Sequence, residues 1–499
     1  MIKNLKKLEL ILTLIIILLL SFLNILPYFF QDSINKGLPL HNDELFHLNQ
    51  AKYLNSGNYE FNSLSSLEIG FHFFLFILDA LFNLIKIYPF LSFFWMIFTC
   101  IILFLIIYNL TNENYFISLL TLIFFGSIGI DNFYLGMSFF TPLTFSVPFI
   151  FLYFFLFFEG LRLENKKYLF FSLIIMILLL FFHPPSTLFF MPLILLYFLK
   201  YKSFLIKEYK FFFLFLLIPF IGILFYIILI KGYFKSNFLL NLIYFDKNWA
   251  GIETFDKIIL NKLYSITNFI LSLIGTIYLF WKKEKRYYPY IFSSLILLLN
   301  LICFNKYSFS LFGPAQRIYF YLLIFLPLFS AFGILFIFRS IDSVLNNWIV
   351  NKTIKKIIII LFLSIILFFS YYSSISQKIN FNSLITLNKN ELDVLMFLSK
   401  IESGNIILPL NHLSSFVKSF SDQEPIGTWY FYHPERKKNI NSFYSIDNCD
   451  FKNSIIRYYH LDYILSSELI SCSEYSLIYP IEPYVYNVSY LSKNYYTNV

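Results

Sequence analysis

The sequence predicts a polytopic α-helical membrane protein of about eleven spans with a small α/β domain at its C-terminal end. Three observations predict it. Of the 499 residues, 58% are hydrophobic and only 13% are charged, and mean hydropathy is +0.69, a balance foreign to soluble globular chains. Apolar runs of roughly twenty residues, the length an α-helix needs to cross a bilayer core, recur along residues 8–373. From Ser374 the character changes: 10 Lys+Arg stand against 12 Asp+Glu, and long apolar runs cease.

The charge is unevenly spread. The chain carries +9 overall, with −2 from Ser374 onward and +11 before it. Basic clusters at Lys3–Lys7, Arg162–Lys167, Lys200–Lys210, Lys282–Arg286 and Arg339–Lys356 punctuate the apolar part. By the positive-inside rule these are cytoplasmic loops. A cytoplasmic N-terminus, an extracytoplasmic tail and a place in the cell membrane follow as expectations. Nucleic-acid binding needs basic residues clustered on a soluble face, and the sequence has no such cluster.

Taken in order, the run 8–30 is the first span; it is too long for a signal-peptide core and lacks a small-residue cleavage pattern, so it is read as retained. Residues 31–88 form a long outer loop. Within it Gly70–Ile85 carries His72, Asp79 and Asn83, and is expected as a helix lying at the outer interface without crossing. Spans are then expected at 89–108, 115–130 and 138–158. Two more, 168–182 and 186–199, flank His183-Pro184-Pro185, whose prolines end a helix and stiffen the turn. Further spans are expected at 211–231, 263–281, 288–304, 317–338 and 356–373. This divides the chain into a transmembrane domain, 1–373, and an extracytoplasmic α/β domain, 374–499. In the latter Asn388–Lys400 has helical apolar spacing behind an Asn cap. Ile406-Ile407-Leu408 and Leu461–Leu465 read as strands. Cys449 and Cys472 lie in the tail, where a disulfide and two packed thiols are both open readings.

Chemistry concentrates in His41-Asn42-Asp43-Glu44-Leu45-Phe46-His47, just past the first span. A carboxylate pair at a membrane surface serves as a general base or a metal ligand; the same residues also suit a helix N-cap at Asn42 or Asp43. Other outer turns supply Asp131-Asn132, His183 and Arg317, the last with a planar fork suited to phosphate. The tail histidines His412, His433 and His460 show no metal-ligand spacing. Acids and a phosphate ligand spread over separate outer loops suit group transfer from a phosphorylated lipid.

On these residues the chain resembles the GT-C superfamily of polyprenyl-phosphate-dependent membrane glycosyltransferases, of the dolichyl-phosphate-mannose- or aminoarabinose-transferase kind. Asp43-Glu44-Leu45-Phe46-His47-Leu48-Asn49-Gln50-Ala51 looks like that superfamily's pattern of an acid, a His and the start of a juxtamembrane helix, and Asp131 matches its second acidic position. The resemblance covers residues 1–230 well and later spans loosely. It implies Asp43 and Glu44 as catalytic residues, His47, Asp131, His183 and Arg317 as substrate ligands, and a divalent cation (Mg or Mn) on Asp43 and Asp131. It also implies a polyprenyl- or dolichyl-phosphate sugar donor, and a lipid-linked or protein acceptor within the membrane lipids.

Two departures matter. The Trp-Trp-Asp-Tyr-Gly motif of oligosaccharyltransferases has only Gly427-Thr428-Trp429-Tyr430 as a counterpart, and the second acidic pair is reduced to Asp131-Asn132. Both favour inverting transfer of a single sugar over en bloc transfer. The readings kept beside it are an oligosaccharyltransferase-like enzyme and a non-catalytic lipid or glycan transporter. Transporters place polar residues at helix centres near the bilayer midplane, whereas here the polar residues gather at one face.

Overall fold

The computed structural model describes residues 6–493, except 33, 58, 60–67, 132–134, 188–200, 231–243, 247–258, 312, 349–351, 382, 384–385 and 428–433. The chain divides into two compact units. One comprises Met1–Pro27, Glu60–Phe71 and Phe90–Phe381; the other comprises Tyr28–Tyr59, His72–Pro89 and Asn382–Val499.

The helices run α1 (Lys7–Phe29), α2 (Asn42–Ser56), α3 (Ile69–Leu81), α4 (Leu84–Leu110), α5 (Tyr115–Gly126), α6 (Pro142–Arg162), α7 (Lys166–Phe182), α8 (Lys202–Lys207) and α9 (Tyr209–Ile230). They continue as α10 (Ile266–Trp281), α11 (Tyr288–Tyr307), α12 (Ala315–Trp348) and α13 (Lys352–Ile379). Every expected span within the described residues therefore contains a helix, but the helices differ in length. Among the described residues six stretches are long and apolar enough to cross a membrane: Lys7–Phe29, Leu84–Leu110, Pro142–Arg162, Lys285–Tyr307, Ala315–Leu345 and Thr353–Ile379. This falls short of the eleven expected. The run 186–199 lies from residue 188 onward outside the described residues.

One expected span, 115–130, is shorter than its apolar run: α5 has 12 residues, about 18 Å of helix. Ser127 stops it by donating to the Phe124 carbonyl at 2.7 Å. The apolar residues that follow go into a two-stranded hairpin, β1 (Ile130–Asp131) with β2 (Leu135–Gly136). The 13 residues of α3 make about 20 Å, too short for a ~30 Å core. Pro184 and Pro185 open the next helical turn, residues 184–187, where a missing N–H costs nothing.

In the first unit, several hydroxyls on the helices bond to their own helix. Ser21, Thr99 and Thr121 donate to the carbonyl four residues back at 2.8 Å each. At Gly275 and Gly333 helices α10 and α12 meet backbone to backbone, since a Cβ at either would collide with main-chain atoms of the other helix. Glycine permits that approach. At the other end of the bundle Arg286 donates to Glu159 at 2.9 Å and to Asn112 at 2.7 Å, while Arg162 also pairs with Glu159. This ties the ends of α4 and α6 to the start of α11.

The second unit holds a five-stranded sheet. Its strands are β5 (Asn405–Ile407), β6 (Glu424–Pro425), β7 (Tyr463–Ser466), β8 (Ser476–Tyr479) and β9 (Tyr484–Asn487), in order β6-β5-β7-β9-β8. A second antiparallel pair, β3 (Tyr244–Asp246) with β4 (Phe309–Leu311), belongs to the first unit. β5 is parallel to β6 and β7, and β9 is antiparallel to β7 and β8. Successive residues of a strand face opposite ways, so the unbroken apolar run at 406–408 implies cover on both faces. Both are covered. Ile406, Tyr463, Leu465 and Val485 pack with α14 (Lys389–Leu398) and α15 (His412–Phe420). Ile407, Ile464 and Tyr486 pack with α16 (Pro434–Ser445) and α17 (Cys449–Tyr459). A short α18 (Ser489–Lys493) follows β9. Asn388 caps α14 as its sequence predicts, accepting from the Glu391 N–H at 2.9 Å. Cys449 and Cys472 form a disulfide, which resolves the choice the sequence left open.

Candidate active site

Segment 41–47 starts α2. The N-cap is His41, with extended backbone at φ −133°, ψ 147°, in place of the expected Asn42 or Asp43. Its Nδ1 accepts the Asp43 N–H at 3.1 Å, which fills the orphan-donor role of a cap and moves the boundary one residue earlier. Glu44 closes the box from the third helical position. Its Oε2 accepts from the N–H of His41 at 3.2 Å and of Leu40 at 2.7 Å, and its Oε1 accepts from the Tyr28 hydroxyl at 2.5 Å. At the other end, Gly57 adopts φ +77°, the left-handed conformation that terminates helices.

The two adjacent acids therefore have different roles. The Glu44 side chain is fully buried among its three donors. That of Asp43 is 28% exposed, with Oδ2 3.8 Å from His41 Nδ1. Of the pair, Asp43 is the one that reaches out of the fold.

α2 is held against the tail. Leu45 is part of the tail's hydrophobic core. Asn49 donates to the Ser415 carbonyl at 2.8 Å and accepts from the Ser419 hydroxyl at 2.5 Å, and Lys52 donates to the Ser419 carbonyl at 2.8 Å. Upstream, Asn35 and Leu387 exchange two hydrogen bonds. The segment with the acids is thus mounted on a rigid α/β base.

His47 is buried and paired: its Nδ1 lies 2.8 Å from His72 Nε2, and His72 Nδ1 lies 2.9 Å from the Tyr59 hydroxyl. Burial pushes the His72 imidazole down to about 3, so His72 is neutral at physiological pH.

The other three residues lie in the first unit. Asp131, on β1, has Oδ2 3.3 Å from Lys262 Nζ; its neighbour Asn132 lies outside the described residues, as do residues 428–430 and His433. His183 caps the C-terminal end of α7 and is buried, with Nδ1 2.7 Å from Ser186 Oγ, which in turn is 2.9 Å from the Tyr321 hydroxyl. Its Nε2 is 3.4 Å from Glu68. Burial, and then the positive charge of Arg317, hold the His183 imidazole well below its ordinary value. The structure thus brings His183 and Arg317 together, with Arg317 half-buried in the first turn of α12. Glu68, Ser186 and Tyr321 carry no motif in the sequence, and with 38 tyrosines in the chain no single one stands out.

Asp43 suits a divalent cation as a partly exposed oxygen ligand. A cation at Asp131 would have to replace the ammonium of Lys262.

No family model matches the chain, and no curated protein sequence matches it. Among solved structures it is similar to the oligosaccharyltransferase of Archaeoglobus fulgidus in its apo form, with a TM-score of 0.57 and 10% identity over 91% of this chain and 69% of that one. The same enzyme in complex with Zn and sulfate gives 0.53 and 11%, over 91% and 68%. The fold is like that of this oligosaccharyltransferase. At such identities the likeness concerns architecture, and the roles of individual residues rest on their own geometry.

Proposed function

We propose that the protein is a membrane glycosyltransferase of GT-C type, transferring sugar from a polyprenyl-phosphate donor to an acceptor hydroxyl at the outer membrane face. The observation that carries the proposal is the GT-C-like fold, matched over 91% of the chain. In this reading the acceptor oxygen attacks the anomeric carbon and Asp43 takes its proton as general base. The bond from carbon to phosphate oxygen breaks, and the electron pair leaves with the polyprenyl phosphate. The Arg317 guanidinium binds that phosphate through its planar fork. Glu44 is a positioning residue that fixes the start of α2, so that Asp43 projects from a rigid turn. A divalent cation, supported by the Zn complex of the similar enzyme, would be held by Asp43 and would offset charge on the phosphate.

Transfer of a single sugar is the reading favoured by the missing Trp-Trp-Asp-Tyr-Gly motif. En bloc transfer to protein is the second reading, favoured by the oligosaccharyltransferase likeness. The test is transfer of radiolabelled sugar from a polyprenyl-phosphate donor by purified protein in lipid. The mass added to the acceptor separates one sugar from many. Arg317→Lys should raise the apparent KM for donor about tenfold and leave that for acceptor unchanged. Active protein in which neither Asp43→Asn nor Arg317→Lys alters transfer refutes the assignment of these residues.

A further inference from the structure

The tail domain contains a cavity of about 380 Å³, within the size range of small-ligand sites. Its position follows from the topology. The chain leaves the carboxyl end of β5 through Pro409 and Asn411 into α15, on one face of the sheet. It leaves the neighbouring parallel strand β7 through Ser467 into a loop whose Ile470, Cys472 and Tyr475 pack on the opposite face. Two adjacent parallel strands whose exits diverge leave a crevice at their carboxyl ends, the general ligand position in open α/β sheets.

The walls of this crevice are polar and incompletely satisfied. α15 has nine residues and no side-chain hydrogen bond at its N-cap, Asn411. Asn411 Oδ1 is buried and has no hydrogen-bond partner among the described residues. A buried amide oxygen left this way has lost its water without a replacement partner, a deficit that a ligand donor would relieve. The other helix at the cavity, α14, is fully capped by Asn388 and Glu391, so the deficit is specific to one wall. The charged lining residues are one ammonium, Lys389, and two carboxylates, Glu391 and Glu482, and Glu391 lies 3.1 Å from His412 Nε2. An anion would meet two carboxylates. A neutral ligand whose groups both donate and accept matches amide, carboxylate and ammonium side chains together, while Pro409 and Leu413 supply an apolar surface.

We propose that this crevice binds a neutral saccharide residue, its hydroxyls pairing with Asn411 and Glu482 and its C–H face lying on Leu413. Binding is measured at equilibrium without a donor, so the test does not depend on the proposed transfer chemistry. Full-length protein in detergent micelles would be examined by saturation-transfer NMR with glucose, galactose, methyl α-mannoside and N-acetylglucosamine, and by ³¹P line broadening with inorganic phosphate. At least one sugar should show transfer, and Asn411→Ala and Glu482→Gln should each weaken binding about tenfold, the worth of one or two hydrogen bonds. Asp43→Asn should bind like wild type, so lost sugar transfer with retained sugar binding keeps the two proposals apart. Thermal unfolding confirms that the variants fold. Absence of saturation transfer from all four sugars, transfer that survives both substitutions in folded protein, or binding of phosphate alone would overturn the proposal.

Discussion

Two acidic segments invite comparison, residues 41–47 on α2 and residues 129–136 around the first hairpin. Each puts an aspartate just beyond an apolar helix. In the first, the environment of Asp43 is built for it: His41 caps the turn, Glu44 braces it with three accepted hydrogen bonds, and Leu45 anchors it in a core. In the second, Asp131 sits on a strand of two residues and faces Lys262 at 3.3 Å. A carboxylate that neighbours hold in place, yet leave reachable, is prepared to act on a substrate. A carboxylate already answered by an ammonium has its charge spent within the fold. That each follows an apolar helix does not distinguish them. Their surroundings do.

The comparison breaks first at Asp43. Asp43→Asn keeps shape and removes basicity, and should slow sugar transfer by about 10²–10⁴-fold with an unchanged melting temperature. Wild-type transfer by Asp43→Asn together with dead Asp131→Asn would reverse the assignment.

Glu44→Gln should act through the fold. A glutamine amide presents N–H groups where three donors already point, so unfolding should become easier by about 2–3 kcal/mol. Transfer should fall roughly in step with the loss of folded protein. Equilibrium unfolding in urea, read alongside activity, checks this. A stable but inactive Glu44→Gln would move Glu44 itself into the chemistry.

The bracing of α2 should also depend on pH. His72 titrates at about 3 in the fold against an ordinary value of 6.5, so below pH 6.5 the unfolded chain binds a proton that the native state refuses. The stability is fully present above pH 6.5 and is lost progressively as pH falls toward 3. Melting temperature should drop between pH 7 and pH 5, and His72→Gln should flatten that slope. An unaltered slope would mean that other groups carry it. The smallest effect is expected at the second segment: Asp131→Asn should change transfer by less than about threefold and stability by under about 1 kcal/mol, as for a partly exposed ion pair.

Much of this architecture was legible in the residues because it depends on local pattern. The apolar runs specify helices, Asn388 followed three residues later by Glu391 specifies a capping box, and Ile406-Ile407-Leu408 specifies a strand buried on both faces. The end of α5 was less legible, since Gly126-Ser127 interrupts a stretch that stays apolar into the hairpin. The His41 cap was hidden by better capping residues directly after it.

What the sequence by itself determined is the succession of helices, the small sheet domain and the short list of polar residues from which a site can be drawn, because bilayer length and strand alternation are written in neighbouring residues. What only the tertiary structure decided is which of two adjacent acids is braced and which is presented, and that the charge of Arg317 acts on His183. It also decided that Leu45 belongs to the core of a domain more than three hundred residues onward. Burial and hydrogen bonding of an ionisable group depend on partners distant in the chain, Tyr28 for Glu44 and His72 for His47, and no local pattern encodes such partners.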